Sequence, residues 1–76
     1  MPDKPQKISL TELKNNHEKE ILLLLQRKGK CLYGEILKEL TLSVLEGQKI
    51  VFNLQQSGLI RRNEDSRYYE LNVTLV

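Results

Sequence analysis

The stretch GLIRRNEDSRYYELNV, from Gly58 to Val73, alternates apolar and polar residues on either side of a polar run. Alternation of this kind is typical of β-strands that turn one face towards a core. It predicts two strands, Leu59 to Arg62 and Arg67 to Val73. The four residues between them, Asn63 to Ser66, are good turn formers, so we predict a β-hairpin.

Upstream of the hairpin, apolar residues recur every three or four positions from Leu10 to Lys28, which predicts a first helix. Ser9 and Glu12 have the spacing of a capping box at its start, and Gly29 is a natural stop. The pair Asn15–Asn16 leaves open whether this segment is one helix or two.

Two further helices are predicted between the first helix and the hairpin. Tyr33 to Leu40 places its apolar residues on one face over about two helical turns. Ser43 and Glu46 again have capping-box spacing, so a third helix is predicted from Val44 to Ser57. Residues 1–8 contain two prolines without apolar periodicity and predict a flexible arm. The sum is one mainly α domain with a small β-hairpin, over residues 9–76.

Composition limits the classes of function. The chain of 76 residues has 39% apolar and 29% charged residues and a net charge of +2, which is ordinary for a globular domain. So short a chain leaves little room for a catalytic pocket and has no phosphate-loop or nucleophile motif, so we expect no enzyme and no cofactor. One Cys and one His are too few for a structural zinc.

Membrane insertion and secretion are not expected. The longest apolar run, Ile21 to Leu25, is too short to span a bilayer. The N-terminal residues are polar and lack the apolar segment of a secretory signal. We therefore predict a cytoplasmic protein with no membrane partner, and no small-molecule substrate is evident.

Three local patterns accompany the order helix, helix, helix, hairpin. Tyr33 to Leu40 and Leu42–Ser43 resemble the second helix and the following turn of winged helix-turn-helix proteins. Leu54 to Arg62, LQQSGLIRR, is similar to that family's pattern of Leu, two polar residues, a small residue, Gly, Leu, an aliphatic residue and arginine. The resemblance covers residues 18–73. It implies a three-helix core with a two-stranded antiparallel wing.

The resemblance implies a small transcriptional regulator that binds double-stranded DNA sequence-specifically. The helix at 44–57 would enter the major groove and the wing at 59–73 would lie on the phosphate backbone. Amide side chains on the helix can pair with adenine, and a lysine can pair with guanine or phosphate. The residues expected to contact DNA are Ser43, Glu46, Gln48, Lys49 and Asn53 on the helix, Arg61, Arg62 and Arg67 on the wing, and Lys30 in a second basic group.

A second function is left open, a winged-helix module that binds a protein in a larger assembly without contacting DNA. Glu46 and the apolar Val44 stand at the helix start, where the closest groove contacts would fall. Phe52 is expected to close the core against the wing; exposed, it would mark a protein interface. The leucine-rich first helix and the terminal Val73 to Val76 are expected to support a homodimer.

Three other features have simpler explanations. His17, on the apolar stripe of the first helix, is predicted to be structural because no further ligands or catalytic partners accompany it. Cys31 could be a redox-sensitive thiolate beside Lys30 or a small buried hydrophobe, and the second is favoured. Tyr68 and Tyr69 point to opposite faces of a strand, which disfavours single-strand binding and assigns Tyr69 to the core.

Overall fold

The computed structural model describes residues 6–76, with side chains from Lys7 onward. Its helices are α1 (Asn16–Lys28), α2 (Tyr33–Leu40) and α3 (Val44–Gln56). Its strands are β1 (Gln6–Ile8), β2 (Lys30–Cys31), β3 (Ile60–Arg62), β4 (Tyr69–Leu71) and β5 (Val73–Leu75). This mixed α/β arrangement of three helices and a small antiparallel sheet is compatible with the predicted layout of helices and hairpin.

The segment predicted as the first helix is two elements. A 3₁₀ helix spans Leu10–Glu12, where Ser9 provides the predicted capping box, and α1 follows it. The break lies at Asn15, whose Oδ1 accepts hydrogen bonds from the backbone N–H groups of His17 at 2.8 Å and Glu18 at 3.4 Å. Asparagine in this role satisfies the free N–H groups of a new helix, so α1 begins here.

Other helix ends lie where single residues predict them. α1 stops at Gly29, whose φ of 88° lies in the left-handed region that favours glycine. At the start of α3, Ser43 Oγ accepts a hydrogen bond from the N–H of Glu46 at 3.1 Å, and the N–H of Ser43 donates to the Glu46 carboxylate at 3.3 Å. This reciprocal capping box determines where α3 begins.

The antiparallel sheet has three strands where the sequence predicts two. Its order is β2-β4-β3, with Lys30 opposite Glu70 on one side of β4 and Arg61 opposite Glu70 on the other. The predicted pairing of β3 with β4 is present, and β2 extends it. The sequence does not reveal β2, because two residues between Gly29 and α2 carry no alternating pattern.

The ends of the described chain pair with each other, so the predicted flexible arm is wrong for residues 6–8. β4 ends at Leu71 and Asn72 separates it from β5, so the predicted hairpin strand is divided in two, although the Asn72 N–H still donates to the Leu59 carbonyl at 2.9 Å. β5 then pairs in parallel with β1, with Lys7 opposite Thr74. Ile8 belongs to the core, and residues 1–5 of the predicted arm lie outside the described residues.

A hydrophobic core lies between the helices and the sheet. α1 supplies four buried residues, Ile21, Leu22, Leu24 and Leu25. Only Leu23 of the leucine run is exposed, at 46%, so most of the apolar surplus expected on α1 is used within the chain. None of the helices within residues 6–76 has the length and apolar character needed to cross a membrane.

α2 and α3 cross closely at Gly47. A Cβ atom added here would collide with Leu37 and would lie 2.9 Å from the Tyr33 Oη atom. The Tyr33 hydroxyl donates a hydrogen bond to the Val44 carbonyl at 2.8 Å, so moving it aside would break that bond. A larger residue here would therefore have to displace the ends of the Leu37 and Tyr33 side chains, so glycine is favoured by contact and not by backbone conformation.

We expect Gly47→Ala to lower the free energy of unfolding by roughly 1–2 kcal/mol, because overpacking outweighs the gain in helix propensity. Gly34→Ala is the matched control, since Gly34 also lies in a helix but its added Cβ would have no neighbour within 4 Å. It should be neutral or stabilising. Urea denaturation followed by circular dichroism measures both; equal stability of the two variants would contradict the close crossing.

Candidate nucleic-acid interface

A groove of about 810 Å³ lies between α3 and the hairpin formed by β3 and β4, and the start of α2 lines it with Leu32, Tyr33 and Gly34. We call it the α3–hairpin groove. The hairpin contributes Arg62 and Arg67 to its lining. The α3 residues that line it are Gln48, Lys49, Val51, Phe52 and Gln55. The groove therefore combines amide, aromatic and cationic side chains on one surface.

Two tyrosines hold the elements around the α3–hairpin groove together. The rings of Tyr33 from α2 and Tyr69 from β4 have centroids 6.5 Å apart and are tilted by 57°. Burial, and then the neighbouring Tyr69, raise the pKa of the Tyr33 hydroxyl. The hydroxyl therefore stays protonated at neutral pH and continues to donate to the Val44 carbonyl at the start of α3.

The α3–hairpin groove carries three cations, and no acidic residue lines it. Lys49 comes from α3, and Arg62 and Arg67 come from the hairpin. Within residues 6–76 none of these three side chains takes part in an ion pair. All three are exposed, so their charge is available to a negatively charged ligand.

Arg61 and Arg62 do not act together, because adjacent residues of a strand face opposite sides of the sheet. Arg61 lies in one row with Glu70 and Lys30, whereas Arg62 lies in the next row with Tyr69. The Arg61 guanidinium donates to Glu70 Oε1 through Nε at 2.8 Å and through Nη2 at 2.7 Å. Its charge is thereby partly compensated, away from the α3–hairpin groove.

Lys30 belongs to the same outer face as Arg61. Its Nζ atom lies 4.8 Å from the centroid of the Tyr68 ring, a distance suited to a cation–π contact. Tyr68 is half-buried beneath it, and Tyr69 packs against the core on the opposite face as predicted. Lys30 and Arg61 are thus separated from the other predicted cationic residues.

The tip of the hairpin turns Arg67 back towards the groove. Asn63 Oδ1 accepts hydrogen bonds from the N–H groups of Asp65 at 2.9 Å and Ser66 at 3.1 Å. Arg67 has a φ of 64° and donates its N–H to the Asn63 carbonyl at 2.6 Å. The acidic tip residues do not line the groove, so the turn separates them from the cations beside α3.

The remaining predicted contacts on α3 are distributed unevenly. Gln48 and Lys49 line the α3–hairpin groove. Ser43 and Glu46 are exposed, but their side chains are engaged in the capping box at the start of the helix. Asn53 is exposed and does not line the groove. Gln55 was not predicted, although its position three residues after Phe52 is the spacing that a shared helix face requires.

The prediction that Phe52 closes the core is wrong, since its side chain is 58% exposed. Val51 and Leu54 already occupy the buried positions of this part of α3. Tyr33 and Tyr69 pack against the core from α2 and β4 and line the same groove as Phe52. Phe52 consequently projects into the α3–hairpin groove.

Cys31 and His17 have the structural roles that the sequence favours. Cys31 is fully buried. Burial, and then the nearby Glu35 carboxylate, raise the pKa of its thiol, which contradicts a reactive thiolate. His17 is half-exposed on α1, with Nδ1 3.3 Å from Glu20 Oε1.

Comparison with known proteins finds no family model, no curated protein and no solved structure that matches this chain.

We expect the Cys31 thiol to react with a disulfide reagent such as dithionitrobenzoate more than roughly tenfold faster in denaturing urea than in native buffer. Because the pKa of the Cys31 thiol is raised in the fold, its burial also makes the free energy of unfolding depend on pH. This contribution is fully present below the unfolded pKa of about 8.5 and is lost as the pH rises towards the pKa of the folded state. Absorbance follows the reaction with the reagent, and Cys31→Ala gives the reagent background. Urea denaturation at a series of pH values follows the stability. Equal rates in native and unfolded protein would contradict a buried thiol.

Proposed function

We propose that this chain is a small winged-helix transcriptional regulator that binds double-stranded DNA. The observation that carries the proposal is the α3–hairpin groove, in which Lys49, Arg62 and Arg67 converge without an acidic neighbour in the lining. A duplex offers a regular series of phosphates, and such a cationic surface beside an exposed helix suits it. A cytoplasmic location is part of the proposal.

In the proposed complex, α3 enters the major groove. With 13 residues it is about 20 Å long, and a helix of ordinary diameter fits the width of this groove. Gln48 and Phe52 lie on the exposed face of α3 and would meet base edges. Ser43 and Glu46 contribute by fixing the start of the helix. Ser43 is exposed at that end of α3, where the phosphate backbone of the duplex would lie nearest.

The hairpin is proposed to act as the wing. Arg62 and Arg67 extend on the side of the sheet that faces α3 and would bind phosphates that flank the groove. Such contacts position a protein without reading sequence. Arg61 and Lys30 would contribute less than the resemblance implied, because they lie on the outer face and contact Glu70 and Tyr68.

We expect Arg62→Ala to weaken binding to a random-sequence duplex roughly tenfold at low salt, because a charge-assisted contact is lost. The slope of log K against log salt should fall by about one. Arg61→Ala is the matched control, since it removes the same charge from the other face of the same strand. Fluorescence anisotropy at several salt concentrations measures both variants. Equal losses for the two variants would overturn the assignment of the groove, and no binding by the unmodified chain would overturn the function.

A protein-binding module is the second candidate, and the apolar surface of α3 favours it. Val44, Leu45 and Phe52 are 57%, 73% and 58% exposed. Exposed apolar residues that share one surface often mark an interface with another protein. Binding that hardly changes with salt and depends on Leu45 would support this candidate against DNA.

A homodimer through α1 is also part of the proposal. The exposed Leu23 lies in a shallow hollow with Leu40, and the charged residues Glu20, Arg27 and Glu39 surround them. Acidic and basic residues around an apolar centre can complement themselves across a twofold axis. Val73 and Leu75, by contrast, are used in the chain's own β5 strand and are less suited to an interface. To read two half-sites one turn of DNA apart, such a dimer would have to hold its two copies of α3 about 34 Å apart.

We expect Leu23→Glu to weaken dimerisation more than roughly tenfold, because a charge replaces an apolar contact at the centre of the interface. Leu45→Glu introduces the same change on exposed α3 and should leave dimerisation unaffected. Sedimentation equilibrium of both variants tests this. A monomeric unmodified chain, or equal effects of the two changes, would contradict an α1 interface.

A further inference from the structure

We propose that α3 binds preferentially to duplex DNA rich in A·T pairs. In this complex Phe52 contacts thymine methyl groups and Gln48 hydrogen-bonds to adenine. This inference rests on the proposed DNA binding. It adds the class of base pair that the α3–hairpin groove selects.

One stripe along α3 carries the side chains that would face the bases. Leu45, Gln48, Phe52 and Gln55 are spaced by three, four and three residues, which puts them on one face of a helix. Gln48, Phe52 and Gln55 all line the α3–hairpin groove. Leu45 continues the stripe towards the start of α3 and is 73% exposed. The stripe thus alternates apolar and amide groups.

This alternation matches the major-groove edge of A·T pairs. Thymine presents a methyl group there, which apolar side chains contact, and adenine presents N7 and the N6 amino group, which a glutamine amide can bind with two hydrogen bonds. Phe52 and Gln48 lie one helical turn apart, so an aromatic ring and an amide can reach neighbouring base pairs. The cations of the groove would hold the phosphates on either side.

The groups that read G·C pairs are scarce on this face. Guanine is bound chiefly by arginine or lysine, and α3 contributes only Lys49 to the stripe's side of the groove. Cytosine is read by a carboxylate, and the carboxylate of Glu46 already accepts the N–H of Ser43 at 3.3 Å. The two arginines of the groove come from the hairpin, where they would meet phosphates and not base edges in the proposed complex.

The competing occupant is a protein whose apolar side chain would cover Phe52. The charges of the groove favour the duplex, because three cations without an ion-pair partner among residues 6–76 line it together with Phe52, and no acid does. Protein binding is therefore an outcome of the test and not the proposal.

The test compares four short duplexes of equal length, built from A·T, A·U, I·C or G·C pairs only, by fluorescence anisotropy at constant low salt. Uracil removes only the thymine methyl groups. Inosine–cytosine pairs keep the minor-groove groups of A·T pairs but lack their major-groove pattern. We expect A·T to bind about fourfold tighter than A·U for each methyl group buried, and the I·C and G·C duplexes to bind more weakly than A·T.

Two variants connect this preference to α3. Phe52→Ala should reduce the ratio of A·T to A·U affinity to about one, and the exposed position of Phe52 means that the fold should tolerate the change. Arg62→Ala should weaken binding to all four duplexes by the same factor and leave the ratio unchanged, because phosphate contacts carry no sequence information.

The possible failures are distinguishable. Salt-dependent binding with equal affinity for A·T and A·U would overturn the thymine contact and leave DNA binding standing. Equal affinity for A·T and I·C would assign any preference to the minor groove and overturn readout by α3. If none of the duplexes is bound by the unmodified chain, both the inference and the proposed function are wrong.

Discussion

The close crossing of α2 and α3 at Gly47 determines the arrangement of the surface above it. Because this residue has no side chain, Tyr33 can lie against α3 and donate its hydroxyl to the Val44 carbonyl. The same ring packs beside Tyr69, which lies in β4 opposite Arg62 of β3. A chain of direct contacts therefore runs from the helix crossing to the hairpin. The width of the α3–hairpin groove depends on that chain, since the elements that line it are joined through these rings.

The sheet divides the charge of the molecule into two unlike faces. Its central strand, β4, supplies Glu70 on one face, where Arg61 and Lys30 flank it, and Tyr69 on the other. The outer face therefore has acid and base in register, whereas the face towards α3 keeps its arginines uncompensated. A modest net charge of +2 can consequently coexist with a groove that three cations and no acid line. For a ligand with regularly spaced phosphates, this local arrangement matters more than the sum of charges.

The sequence predicts those features of the fold that depend on interactions between residues close together in the chain. Gly29 and the pair Ser43 and Glu46 act within a few residues, so their consequences for the helix ends can be derived without the rest of the fold. Strand β2 and the pairing of β1 with β5 cannot be derived in this way, because each depends on a strand that is distant in the sequence. Phe52 is instructive: Val51 and Leu54 take the buried positions of this part of α3, and Phe52 stays exposed in the groove that Tyr33 and Tyr69 also line.

The candidate site was predicted to a similar degree. The groove contains four of the nine residues expected to contact DNA, Gln48, Lys49, Arg62 and Arg67. Strand alternation alone indicates that Arg61 and Arg62 must face apart, but only the register with β4 decides which of them faces α3.

The parallel pair of β1 and β5 has a consequence for how the chain folds. It joins segments near the two ends of the described residues, so bringing them together costs loop-closure entropy. This cost is offset only after the core has assembled. Two strands without a third neighbour are marginal by themselves. We therefore expect this pair to form last, to open first in native-state hydrogen exchange, and to govern how long Ile8 stays shielded from water.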